Sequence, residues 1–258
     1  MMLFEHLSTA WSAVVLWGLL LLTARLGFVS FRWIGHGDRE TADGSGPDTL
    51  LAATLGLLAL LLGFTFSLAL QRNEDRRDLV IAEANALTTS WERTQALSEP
   101  ALTRVSVLLR NYTAARLVWS NASRPEEMDT ASRRAVQLRA SLWRAVIEAA
   151  RNSSGVITSD TLIGPFNSAF EAAYSRVARR DDRMPPHIIN LLLFYTFTSA
   201  GMIGWRLGAV GHRYRVATGL MLLLLALAIS VIVDLDTPRS GDIVVSQQAM
   251  VDALSRMR

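Results

Sequence analysis

Four separate runs of this chain are long and apolar enough to cross a bilayer, and that pattern limits what it can fold into more than any other feature. A hydrocarbon core about 30 Å thick needs roughly 20 mostly apolar helical residues to span it. Such runs extend from Trp11 to Phe31, from Thr49 to Leu70, from Ile188 to Leu207 and from Val216 to Val233. None contains a carboxylate. Arg25 lies towards the outer end of the first run, where its aliphatic stem lets the guanidinium reach the headgroups. This run is read as a retained span rather than a secretion signal, because only Glu5 and His6 precede it and no basic leader is present.

Four spans put the N-terminus, residues 72–187 and the C-terminal tail on one side of the membrane, with 32–48 and 208–215 on the other. Near the membrane the first side carries Arg72, Arg76, Arg77, Arg176, Arg179, Arg180, Arg183 and Arg239. The second carries Arg32, Arg39, Arg206, Arg213 and Arg215. Cytoplasmic loops are the richer in Lys and Arg, so the larger group marks the cytoplasm. All 26 basic residues are arginine, a bias expected of a GC-rich bacterial genome. The sequence therefore predicts an all-α protein of the bacterial inner membrane with both termini cytoplasmic. Residues 1–71 and 188–233 form two transmembrane hairpins. A cytoplasmic helical bundle over 72–187 lies between the second and third spans, and 234–258 form a cytoplasmic tail.

Residues 72–187 read as helices with breaks. No proline or glycine falls between Gln71 and Leu97, so the second span is expected to run on into the cytoplasm as one long helix. Pro100 opens the next, since proline suits a first helical turn. Its apolar stripe is Leu102, Val105, Leu108, Leu109 and Tyr112. A further helix from Glu126 to Arg151 carries Val136, Leu138, Leu142, Trp143, Val146 and Ile147. Another holds Leu162, Phe166, Phe170, Ala173 and Tyr174, with Pro165 placed to kink it. Stripes at this spacing form the core of a helical bundle.

Catalytic chemistry has little to work with. Cysteine is absent, which excludes disulfides, thiolate metal sites and cysteine nucleophiles. His6, His36, His187 and His212 are scattered and form no ligand set. There is no phosphate-binding glycine loop and no nucleophile elbow. Glu74, Asp75 and Asp78 alternate with Arg72, Arg76 and Arg77 as a salt-bridged helix exit would. No enzyme, metal or cofactor is implied, and the net charge of +3 carries no nucleic-acid signature. Spans without carboxylates or proline breaks also disfavour an ion-coupled carrier. A pore lined by apolar and hydroxyl side chains needs neither.

Two stretches resemble a known family. The first is Leu62-Gly-Phe-Thr-Phe-Ser-Leu-Ala-Leu-Gln-Arg72, followed by Glu74, Arg76-Arg77 and Glu83-Ala-Asn85. The second is Asp234-Leu-Asp-Thr-Pro-Arg-Ser-Gly241, leading to Val245-Ser-Gln-Gln248. Together they are similar to the bacterial bestrophin-like domain family, more distantly to the bestrophin anion channels. In those pentamers a Leu-Gly-Phe element of the second span forms an apolar neck above a basic exit. The resemblance implies a homo-oligomer in the lipid bilayer passing inorganic ions, with a non-conducting scaffold or sensor as the alternative. Leu62-Gly63-Phe64 matches the neck element, and Arg72 matches the exit, but the paired tryptophans expected after that arginine are missing.

Gly56, Leu60 and Phe64 share one helical face, which suits either a dewetting neck or close helix packing. Thr65 and Ser67 either line a pore or bond their own backbone. Arg72 and Arg76, one turn apart, either form a basic ring at the inner mouth or anchor headgroups and neighbouring carboxylates. Glu83 and Asn85 are expected to hold the bundle together. Asp234 and Asp236 leave the fourth span directly, and Pro238 and Gly241 turn the chain after them. The two aspartates are expected to pair with Arg72, Arg76 or Arg77, being too few to define a cation site.

Overall fold

The computed structural model describes residues 9–34, 45–122, 124–152, 159–180, 182–210, 215–237 and 242–258. These form eight α-helices: α1 (Thr9–Ile34), α2 (Ser45–Thr94), α3 (Ala101–Asn121), α4 (Pro125–Asn152), α5 (Ser159–Arg180), α6 (Pro186–Val210), α7 (Arg215–Asp236) and α8 (Gln248–Arg256). Among the described residues there is no strand. Four helices, α1, α2, α6 and α7, are long and apolar enough to cross a membrane.

The expected continuation of the second span is present. α2 runs 50 residues without a break, about 75 Å at 1.5 Å per residue, against a hydrocarbon core of about 30 Å. It ends at Thr94, and Pro100 caps α3. α5 continues through Pro165.

The chain divides into two compact units, 1–73 with 183–244 and 74–182 with 245–258. In the first, α1 packs most extensively on α6 and next on α7. Small residues set the α1–α6 approach. A Cβ on Gly204 would fall 1.9 Å from the carbonyl oxygen of Ala24, and one on Gly27 2.1 Å from that of Gly201. Only glycine permits so close a crossing, the usual device where helices meet in lipid. The Phe31 and Trp205 rings meet edge-to-face at 5.3 Å, and the Trp17 indole N–H donates to the carbonyl of Gly219 at 2.9 Å. α2 joins this unit through Leu51, Leu55, Leu58, Leu62 and Ala69, spaced three, four and seven residues apart on one side of the helix. Its first turn is tied by Asp48, which receives a two-pronged contact from Arg206 at 2.5 and 2.6 Å.

The second unit packs the later part of α2 with α3, α4, α5 and α8 around Leu87, Leu109, Leu142, Val146, Leu162, Phe166 and Met250. The expected stripes supply most of this core. Val136 is an exception at 63% exposed. The buried side of α4 is Ala131, Ala135, Leu138, Leu142 and Ala145, and Val136 lies one residue, about 100°, off it. Tyr174 is likewise 72% exposed. The tail contributes α8, whose Met250 and Ala253 are buried.

Candidate functional site

The apolar part of α2 has two faces. One is the packed seam just described. The other carries Gly56, Leu60, Phe64 and Ser67, all exposed, with Leu60 at 55% and Phe64 at 66%. A Cβ built on Gly56 or Gly63 would meet nothing within 4 Å. Only 11% of the most apolar stretch of α2 is buried, against 22%, 39% and 28% for α1, α6 and α7. The structure thus brings Gly56, Leu60, Phe64 and Ser67 together on the face its own chain leaves bare. Thr65 falls on the packed seam instead. It is 5% exposed, and its hydroxyl donates to the carbonyls of Leu61 and Leu62 at 2.8 and 3.1 Å.

Beyond this face, Arg72 is half-buried. Arg76 is buried, and its Nη2 donates to the carbonyl of Asp182 at 2.8 Å, which ties α2 to the chain leaving α5.

Glu83 lies two turns further on, fully buried, with Asn85 exposed beside it. Oε1 of Glu83 accepts from Arg116 Nε at 2.5 Å, and Oε2 accepts from Arg116 Nη2 at 3.0 Å and Arg176 Nη1 at 2.6 Å. Arg176 also donates to the Ser120 hydroxyl at 2.6 Å and to the side-chain oxygen of Gln247. The Trp119 ring lies beneath Arg116 and Arg180, 4.3 and 4.5 Å from the ring centre. Burial lowers the pKa of the Arg176 guanidinium, and the Glu83 carboxylate opposes that shift. Nearby, burial pushes the Tyr112 hydroxyl up to about 12. Glu83 was legible as a structural residue, whereas Arg116, Arg176, Trp119 and Gln247 were not. A signal existed: Glu83 interrupts the buried series Val80, Ala84 and Leu87, and a carboxylate in an apolar seam requires a cation.

Asp234 and Asp236 are both buried. Asp234 accepts from the Thr9 hydroxyl at 2.8 Å and from the backbone N–H groups of Asp242 and Ile243, both at 3.0 Å. Asp236 accepts from the backbone N–H of Met184 with both oxygens, at 2.9 and 3.1 Å. They bind the start of α1, through the Thr9 hydroxyl, and the approach to α6 and the returning tail, through backbone N–H donors, to the end of α7. Pro238 and Gly241 lie outside the described residues. Among the described residues no three His, Asp or Glu side chains converge as metal ligands.

Four apolar helices, a glycine-mediated crossing in the first unit and a helical second unit define an all-α, multi-span membrane protein. The chain belongs to the bestrophin-like domain family, whose model matches residues 17–250. Among solved structures it is similar to a variant of a bacterial bestrophin homolog from Klebsiella pneumoniae, at 16% identity and TM-score 0.69, covering 98% of this chain and 97% of that one. A second variant of that homolog aligns at 13% identity and TM-score 0.68, over 95% and 96% of the two chains. A structure described as a membrane protein aligns at 13% identity and TM-score 0.67, also over 95% and 96%. At such identities the likeness concerns the fold. No curated protein matches the sequence significantly. None of these similarities indicates a catalytic family.

Proposed function

We propose that this protein is a homo-oligomeric ion channel of the bacterial inner membrane, with α2 of each copy lining a central path. The observation carrying this reading is the bare face of α2. An apolar span leaning on its own chain along one seam has its other side free for lipid or for copies of itself, and that side bears Gly63 and Phe64 of the Leu-Gly-Phe element. Rings of Leu60 and Phe64 then form a neck that gates by excluding water, with Gly56 leaving room beside it. Ser67 offers a hydroxyl below the neck, while Thr65 serves packing. Arg72 stands at the inner mouth, where a ring of guanidinium groups favours anions. Arg76 locks the helix exit to its own unit. The spans form two hairpins, 1–71 and 188–233, with residues 72–187, the tail 234–258 and both termini cytoplasmic, the orientation the arginine bias favours.

Because the chain has no cysteine, single cysteines report on this arrangement cleanly. With a short bifunctional maleimide in native membranes, Phe64→Cys should give a ladder of covalent oligomers. Leu58→Cys, on the buried seam, should stay monomeric. Monomer from both variants overturns the arrangement and leaves a scaffold or sensor.

A further inference from the structure

We propose that a cleft of the membrane-embedded unit holds one anionic phospholipid, its phosphate on Arg25 and an acyl chain along the cleft floor. The inference rests on membrane insertion and is independent of conduction. The cleft lies where the later turns of α1 face the end of α6 and the start of α7. It encloses about 340 Å³, lined by Leu21, Phe28, Leu207, Gly219 and Leu222 among others, with Arg25 the only charged residue among the described ones that line it. That volume lies within the ~300–1,000 Å³ of ordinary ligand pockets.

Two observations select the occupant. The first is electrostatic. Arg25 is exposed, and among the described residues it has no hydrogen-bond or ion-pair partner, whereas Arg206 on the neighbouring helix is paired with Asp48. Arg25 lies six residues before Phe31, where the apolar run ends, or about 9 Å along the axis. A guanidinium at that depth needs an anion or water. In a bilayer the anion at hand is a lipid phosphate, which accepts both prongs of the guanidinium fork.

The second observation is steric. A Cβ on Gly219 would meet nothing within 4 Å, so the cleft is open where a larger residue would fill it. The carbonyl of Gly219 is held by Trp17, which fixes that wall. The adjoining face of α1 presents Leu22, Leu26 and Val29 outward at 56%, 59% and 46% exposed, a surface suited to acyl chains. A trough whose described lining is apolar apart from one guanidinium suits a phospholipid, which offers an acyl chain as well as a phosphate, better than a free anion.

The test is native mass spectrometry of the delipidated full-length protein titrated with phosphatidylglycerol, phosphatidylcholine or inorganic phosphate. The wild type should take up one tightly held phosphatidylglycerol per protomer and bind phosphatidylcholine at least tenfold more weakly. Arg25→Gln should lose at least tenfold in phosphatidylglycerol affinity, and Gly219→Leu should lose as much by filling the cleft without a backbone clash. Arg32→Gln, at the end of the same helix, should bind like the wild type. Variants are compared after matching helicity and oligomer profile; should Arg25→Gln fail to fold, Gly219→Leu decides alone. Equal binding of both lipids, unaltered binding by the variants that fold, or inorganic phosphate held as tightly as the lipid each overturns the proposal.

Discussion

Replacing Glu83 by glutamine tests the energetics of the second unit at its centre. The carboxylate is 0% exposed and accepts from two guanidinium groups that are 5% and 8% exposed. Glutamine keeps the shape but substitutes one carbonyl oxygen and an NH2 group that points donors at donors. All three hydrogen bonds to Glu83 are weakened or lost, and Arg116 and Arg176 are left buried with their charge uncompensated. Breaking a buried ion pair from one side costs about 3–5 kcal/mol, a large share of the ~5–15 kcal/mol that holds a domain together. At roughly 2–4 °C per kcal/mol, the unfolding midpoint should fall by about 6–20 °C, measured by intrinsic fluorescence of the full chain in detergent. Glu148→Gln supplies the contrast. Its contact with Arg104 leaves both side chains more than half exposed, and such pairs contribute at most ~1 kcal/mol. Combining Glu83→Gln with Arg116→Met should recover part of the loss, because removing one cation relieves the excess charge. A midpoint shift for Glu83→Gln no larger than that for Glu148→Gln would refute the reasoning.

Other consequences are open to the same assay. Gly204→Ala drives a methyl group into the Ala24 carbonyl and should destabilise by about 1–3 kcal/mol or more, whereas Gly63→Ala, facing open space, should be tolerated. Asp234→Ala removes an acceptor shared by Thr9, Asp242 and Ile243 and should lower stability by about 2–3 kcal/mol, detectable as early proteolysis of the tail. The Tyr112 hydroxyl is raised from its ordinary 10.0 to about 12 by burial, so the neutral form is favoured in the folded state. Below pH 10 this contribution is constant, and between pH 10 and 12 about 3 kcal/mol of it should be lost. Tyr112→Phe should flatten the pH dependence in that window.

Much of the architecture could be read from local sequence because membrane spans obey a length and composition rule that packing does not override. The four runs became α1, α2, α6 and α7, and the stretch without proline or glycine after Leu70 became the continuation of α2. The face of Gly56, Leu60 and Phe64 was legible from helical spacing alone. What spacing could not tell was which side of α2 its own chain would cover. Thr65 sits next to Phe64 in sequence but about 100° around the helix, and so on the buried seam. Partners distant in sequence were equally hidden. Glu83 meets Arg116 and Arg176 across 33 and 93 residues, and Asp234 meets Thr9 across 225. Charge patterning suggests arginine partners for the aspartates and is silent on the backbone N–H groups that also satisfy them, because a donor every residue carries leaves no mark in sequence. Val136 and Tyr174 show the remaining gap: an apolar residue one position off a stripe looks like core until the stripe's exact side is known.

The central claim is that ions pass between copies of α2, and ion flux across liposomes containing the purified protein tests it most directly. The account predicts measurable flux that rises when Leu60 and Phe64 are both replaced by alanine, since a wider neck no longer excludes water. It also predicts that Arg72→Ala shifts selectivity away from anions. Liposomes that stay silent with the Leu60→Ala, Phe64→Ala protein, folded and correctly inserted, would contradict it.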